Sequence, residues 1–259
     1  MSWVHAGGHR LEYRWIGSSP DKARTIVFLH EGLGCVDMWR SFPDQVVDAT
    51  GCGALVYSRA GYGKSDPITL PRNVDFMHDE ALKVLPEILE SFRIRDAILF
   101  GHSDGGSIAL ICAGSGTVNN ISGLVLEAPH VFVEPISIES ITSAKQNYEH
   151  GALRPGLEKY HGSNVECAFK GWNDIWLNPE FRSFNIESYL SGLKVPALVI
   201  QGEQDQYGTL RQVKAIQDSS GGCVETLVLS ECGHSPHRDQ PKAVLDSVRS
   251  FVKKYIDRS

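Results

Sequence analysis

The stretch Ala97-Ile98-Leu99-Phe100-Gly101-His102-Ser103-Asp104-Gly105-Gly106-Ser107-Ile108-Ala109-Leu110-Ile111-Cys112 decides the fold. Its first four residues are an aliphatic run of the kind that forms a buried strand, and its second half carries apolar residues in a helical pattern. Between them, Gly101 to Gly105 reads G-x-S-x-G. A strand that turns at once into a helix strains the residue at the apex and brings backbones close together, so glycine is needed on both sides and only the serine projects. For the pentapeptide alone, a tight turn ending in an ordinary helix-capping serine is the plain alternative.

Outward from this turn the same alternation recurs. Thr25–His30, Ala54–Ser58, Leu124–Glu127, Ala197–Gln201 and Thr226–Leu229, with Ala97–Gly101, are short β-branched or aliphatic runs that read as buried strands. Helical patterns lie between them at about 39–49, 75–91, 105–115, 209–218 and 240–256. That order predicts βαβ units and a largely parallel sheet. At the start, Trp3–His5 and Leu11–Ile16 flank Ala6-Gly7-Gly8-His9 and predict an antiparallel edge hairpin. From 130 to 190 no buried strand is legible, and Tyr148, Phe169, Trp172, Trp176, Phe181 and Phe184 are spread among polar residues. A structureless loop of that length is improbable in a compact domain, so a helical insertion, a cap at 130–190, is expected between core segments 1–129 and 191–259.

Composition narrows the function. The 259 residues carry 25 Lys+Arg against 31 Asp+Glu, with the signs interspersed, so no basic stripe exists to neutralise a phosphate backbone. Nucleic acid is discounted as a partner. The six cysteines form no CxxC pair and read as reduced, packed thiols. No run approaches the ~18 apolar residues of a membrane span, and a cytoplasmic location is the default expectation.

The pentapeptide in its strand–turn–helix setting resembles the α/β-hydrolase superfamily, and the resemblance runs from about Thr25 to the C-terminus. It implies a mostly parallel eight-stranded sheet with helices on both faces and a helical cap. It also implies a nucleophile, an acid and a base in that chain order. Ser103 stands at the nucleophile position, Asp205 follows the strand segment Pro196–Gly202, and His234 closes Cys232-Gly233-His234. The chemistry requires these types. A serine hydroxyl is a poor nucleophile until a neutral imidazole takes its proton, and a carboxylate holds that imidazole in one tautomer. Activity should therefore rise as His234 deprotonates. Glu203 and Asp239 compete for the acid role, and His102 and His237 for the base. His237 reads as structural or rim-lining.

The resemblance also implies two oxyanion donors, the backbone N–H of Asp104 and that of Gly32, with Leu33 second. Here the chain departs from the family's His-Gly-x-x pattern: His30-Glu31-Gly32-Leu33-Gly34 places Glu31 where glycine is usual. A carboxylate beside a developing oxyanion opposes it unless it is turned away or paired. Glu31 either organises the loop or meets a polar substrate group. Leu33, Tyr148, Trp172 and Trp176 are candidate substrate contacts. For each of the insertion's aromatics taken singly, core packing is the stronger reading, and Met38 and Trp39 face the same choice.

Three other patterns fall short. Gly32-Leu33-Gly34-Cys35-Val36-Asp37 lacks the third glycine of a dinucleotide loop, and Gly61–Ser65 lacks the first glycine of a phosphate loop, with Ser58 in its place. His234 and His237 lack an evident third ligand, so no metal is expected. No cofactor is implied. The expectation is a serine hydrolase of carboxylesterase type cleaving a small ester through an acyl-enzyme. Lactone or thioester hydrolysis and carbon–carbon hydrolysis of dienoate ring-fission products are the enzymatic alternatives. A ligand-sensing receptor of hydrolase fold is the non-enzymatic one.

Overall fold

The computed structural model describes residues 2–256. Eight strands, β1 (Ser2–Ala6), β2 (His9–Ile16), β3 (Thr25–Leu29), β4 (Gly53–Tyr57), β5 (Ala97–His102), β6 (Ile121–Glu127), β7 (Ala197–Gly202) and β8 (Val224–Leu229), form one sheet in the order β1-β2-β4-β3-β5-β6-β7-β8. Both pairings of β2 are antiparallel and all others are parallel. The β1–β2 hairpin closes through Gly7 and Gly8, at φ 59° and 76°, as a two-residue turn with both central residues left-handed requires.

In chain order the helices are α1 (Phe42–Thr50), α2 (Phe76–Asp79), α3 (Leu85–Ser91), α4 (Asp104–Ser115), α5 (Pro135–His150), α6 (Leu153–His161), α7 (Val165–Trp176), α8 (Glu187–Leu190), α9 (Leu210–Ser219), α10 (Pro236–Asp239) and α11 (Pro241–Phe251). Successive strand residues face opposite sides of the sheet. Ile26, Phe28, Ile98 and Phe100 therefore pack with Val46 of α1 and with Val244 and Val248 of α11. Val27, Leu29 and Leu99 pack with Ile88 of α3, Ile108 of α4 and Ile216 of α9. The sheet thus has a core on each face.

Between β6 and β7 the chain makes α5 to α8. Ile141, Leu157, Phe169, Trp176 and Phe181 join the same apolar cluster as Val27 and Leu99, so this insertion shares the core of one sheet face. Among the described residues no helix is long and apolar enough to cross a membrane.

Several boundaries differ from the sequence reading. β6 begins at Ile121 rather than Leu124, because sheet pairing carries Ser122 and Gly123 through a register shift opposite Ala97 and Ile98. β8 was expected to be buried but is half exposed, since it is the edge of the sheet. The helix expected at 39–49 is a short 3₁₀ turn, Val36–Trp39, followed by α1, and Arg40 at φ 53° separates them. The helix expected at 75–91 runs from α2 to α3 through a widened turn at Glu80–Val84.

Candidate active site

β5 passes into α4 through Ser103, whose backbone sits at φ 54°, ψ −118°, a region that costs a non-glycine residue strain. A Cβ at Gly105 would run into the carbonyl oxygen of Leu29, and one at Gly101 into that of Gly105. Glycine at both positions is therefore a packing requirement of the turn. Ser103 Oγ stands 2.9 Å from Nε2 of His234, which lies on the loop after β8. His234 Nδ1 is 2.8 and 2.9 Å from the two carboxylate oxygens of Asp205, which follows β7. A carboxylate can only accept, so Nδ1 carries the proton and Nε2 offers its lone pair to the serine hydroxyl.

The Asp205 carboxylate is held from several directions. Oδ1 accepts the Tyr207 N–H at 2.7 Å, and Oδ2 accepts the Gln201 amide at 2.6 Å. Burial alone would raise its pKa, but the charge and hydrogen bond of His234 and the Tyr207 N–H outweigh burial and hold it below the ordinary carboxylate range. The rival residues do other work. Asp239 accepts the Gly233 N–H at 2.8 Å and steadies the histidine loop, while Glu203 is exposed. His237 is buried, with Nδ1 2.6 Å from Glu127, so it is not at the rim.

On the opposite side, the loop after β3 is shaped by a buried cation. Arg59 donates to the carbonyls of His30 at 2.5 Å and Glu31 at 3.1 Å, and its own N–H donates to His30 Nε2 at 3.1 Å. His30 Nδ1 in turn donates to the Glu31 carbonyl at 2.7 Å. Burial first, and then Arg59, hold the His30 pKa well down, consistent with a neutral ring that donates once and accepts once. In a trans peptide C=O and N–H point oppositely. Drawing the Glu31 carbonyl toward Arg59 thus turns the Gly32 N–H the other way. Trp172 packs so closely over Gly32 that a Cβ there would overlap its ring.

Glu31, Gly32, Leu33, Ser103, Trp172, Trp176 and His234 line one cavity of about 200 Å³, small beside the usual ligand pocket of roughly 300–1,000 Å³. Met38 lines it as well, whereas Trp39 is core, packed on Phe28 and Phe100. Tyr148 does not reach the cavity. Its ring stacks on Phe169 at 3.7 Å where α5 meets α7, so the aromatic pair is taken up by packing between these helices. Phe181 likewise belongs to the core, stacked on Phe184. Trp176 also donates its indole N–H to Asp104 at 3.2 Å.

The sequence reading missed His130, Tyr207 and Arg238, which line the same cavity. His130 lies three residues past the end of β6, and the carboxyl ends of parallel strands are where site residues gather in such sheets, a signal that could have nominated it. Burial pushes its pKa down to about 3, and Nδ1 has no hydrogen-bond partner among the described residues. Its ring lies 4.9 Å from Trp176 and 5.7 Å from His234. Tyr207 covers the His234 ring at 4.7 Å.

His102, Glu127 and His237 bring potential ligand atoms within 4.8 Å of one another. His237 Nδ1 is taken by Glu127 and His102 Nε2 by the His234 carbonyl at 2.6 Å, while His102 Nδ1 and Glu127 Oε1 make no hydrogen bond among the described residues.

A sequence profile described as the alpha/beta hydrolase family matches residues 26–247. The chain is 27% identical over 250 residues to esterase/lipase 1 of Mycoplasma pneumoniae, an assignment its name marks as provisional, covering 88% of this chain and 91% of that one. It is 24% identical to the 2-succinyl-6-hydroxy-2,4-cyclohexadiene-1-carboxylate synthase of Salmonella paratyphi C, covering 89% and 94%. The enol-lactonase of Burkholderia xenovorans superposes with a TM-score of 0.75 at 18% identity, over 98% of this chain and all of that one.

Proposed function

The chain belongs to the alpha/beta hydrolase family, and from that premise we propose that it is a serine hydrolase cleaving a small carboxylic ester through an acyl-enzyme. One observation carries this reading. Ser103 Oγ, the His234 ring and the Asp205 carboxylate form a continuous hydrogen-bonded row at a cavity, with the serine on a strained turn.

Ser103 Oγ attacks the ester carbonyl while its proton passes to His234 Nε2. Asp205 keeps Nδ1 protonated and stabilises the imidazolium that results, without itself taking the proton. The negative oxygen of the tetrahedral intermediate is received by the N–H groups of Gly32 and Asp104, neither of which has another acceptor among the described residues. Collapse breaks the bond to the leaving oxygen, which takes the proton from Nε2 and departs as the alcohol. Water repeats the sequence at the acyl carbon, releasing the acid and restoring Ser103.

The cavity's size supports a short acyl or alcohol group, and Trp172, Trp176 and Leu33 supply its apolar walls. His130, kept neutral by burial, offers the substrate one donor or one acceptor. A lactone opens by the same steps, its alcohol remaining tethered to the acyl group. The test is a graded panel of p-nitrophenyl esters, thioesters and lactones with wild type and Ser103→Ala. Steady turnover in the wild type and none in the variant is expected. A p-nitrophenol burst without later turnover would replace the enzyme reading with a ligand-retaining one.

A further inference from the structure

The glutamate that breaks the family pattern has a partner. The Glu31 side chain folds back over Gly34 of its own turn, where a Cβ would meet the carboxylate, and brings Oε2 to 3.5 Å from His102 Nδ1. His102 is the residue before Ser103, is buried, and is among the residues lining the same cavity. Its other nitrogen, Nε2, lies 2.6 Å from the backbone carbonyl of His234. A carbonyl only accepts, so Nε2 bears a proton, and any second proton on the ring sits on Nδ1 facing Glu31. One imidazole thus touches the three loops that carry the oxyanion donors, the nucleophile and the base.

We propose that His102 is a positioning residue for the hydrolysis: as a cation it neutralises the Glu31 carboxylate of the oxyanion loop while its Nε2–H fixes the loop that holds His234. This rests on the serine-hydrolase reading and explains how a carboxylate is tolerated in the oxyanion loop. Left unpaired, Glu31 would oppose the negative charge of the tetrahedral intermediate.

The surroundings agree. The groups that face His102 are Glu31 from the oxyanion loop, Glu127 from the end of β6, and His234 and His237 from the last loop and α10, with Trp39 closing the apolar side. Burial opposes charge on the ring, but the Glu31 contact and the Glu31 and Glu127 charges outweigh it and raise its pKa. Burial would likewise raise the Glu31 carboxyl, yet His102 holds it well below the ordinary carboxylate range. A raised imidazole pKa means the pair is intact at lower pH and is lost as pH rises through the folded-state value. The activity profile should therefore carry an alkaline decline set by His102, in addition to the acid limb where His234 is protonated.

The experiment is a double-mutant cycle of His102→Gln and Glu31→Gln, read as kcat and KM from pH 5 to 10 on the best ester, with melting temperatures alongside. Glutamine keeps a donor for the His234 carbonyl but removes the charge. Expected are a fall of about tenfold in kcat for His102→Gln with KM within about twofold, and recovery of most of that loss in the double variant. Glu31→Gln alone should abolish the alkaline decline. Additive losses, or an alkaline decline unchanged in Glu31→Gln, would overturn the proposal, and the second result stands even if His102→Gln does not fold. Absence of wild-type turnover on every ester would instead strike the serine-hydrolase reading itself.

Discussion

At the scale of single residues, Ser103, His234 and Asp205 come together from loops after three different strands, and each is held in place by its neighbours. Ser103→Ala removes a hydroxyl that lies on a strained turn and contributes little to packing, so turnover on an activated ester should vanish while the melting temperature stays within a few degrees. Asp205→Asn keeps the shape but offers the imidazole a donor where it needs an acceptor. By analogy with other triads kcat should fall by about 10³–10⁴, measurable by initial rates against wild type. Asp205 also links activity to acid stability. Its folded pKa is depressed, so its contribution to stability is present above the unfolded value of about 3.9 and is lost as pH falls through the folded value. Urea midpoints measured from pH 5 to pH 3 should therefore fall less steeply in Asp205→Asn than in wild type.

At the scale of elements, the loop after β3, proposed to carry an oxyanion donor, is held by Arg59, by Trp172 and by His161. The His161 ring accepts the Gly63 N–H at 2.9 Å and donates to the Leu33 carbonyl at 2.9 Å. Burial comes first among the causes that lower its pKa, consistent with a neutral ring making one bond of each kind. His161→Ala leaves a buried donor and an acceptor unmatched, a loss of roughly 1–3 kcal/mol for each group that water cannot reach. Chemical denaturation should show it as a lower midpoint at unchanged slope. Gly32→Ala forces the loop away from the Trp172 ring and, on the proposed mechanism, displaces an oxyanion donor. Removing one such donor elsewhere costs roughly 2.7–4 kcal/mol, so kcat should drop by about 10²–10³. Adding Trp172→Ala should restore part of it, since the clash is with that ring. No recovery would mean that Gly32 matters for some other reason than space.

At the scale of the whole molecule, the insertion from α5 to α8 is not a detachable module. Trp176, Phe181 and Ile141 share the apolar cluster with strand residues Val27 and Leu99, and Asn164 donates to the Gly63 and Ser65 carbonyls at 3.2 and 2.7 Å. Replacing 130–190 with a short linker should uncover this face, so the shortened chain should bind a hydrophobic dye and lose its cooperative thermal transition. Retention of a sharp transition would show that the sheet is stable without its cover. How much of this was legible follows from the range of the forces involved. Strand and helix order and the strained elbow at Ser103 were readable in the sequence, because steric limits on backbone turns and apolar periodicity act between near neighbours in the chain, whereas Asp205 and His234 were nominated by the resemblance to a family. The sequence could not show that Glu31 would turn to His102, that His130 and Tyr207 would face the cavity, that Tyr148 would stack on Phe169, or that β8 would lie half exposed. Those outcomes depend on which distant surfaces meet when the sheet closes and the insertion settles on it, since burial and charge pairing are set by proximity in space.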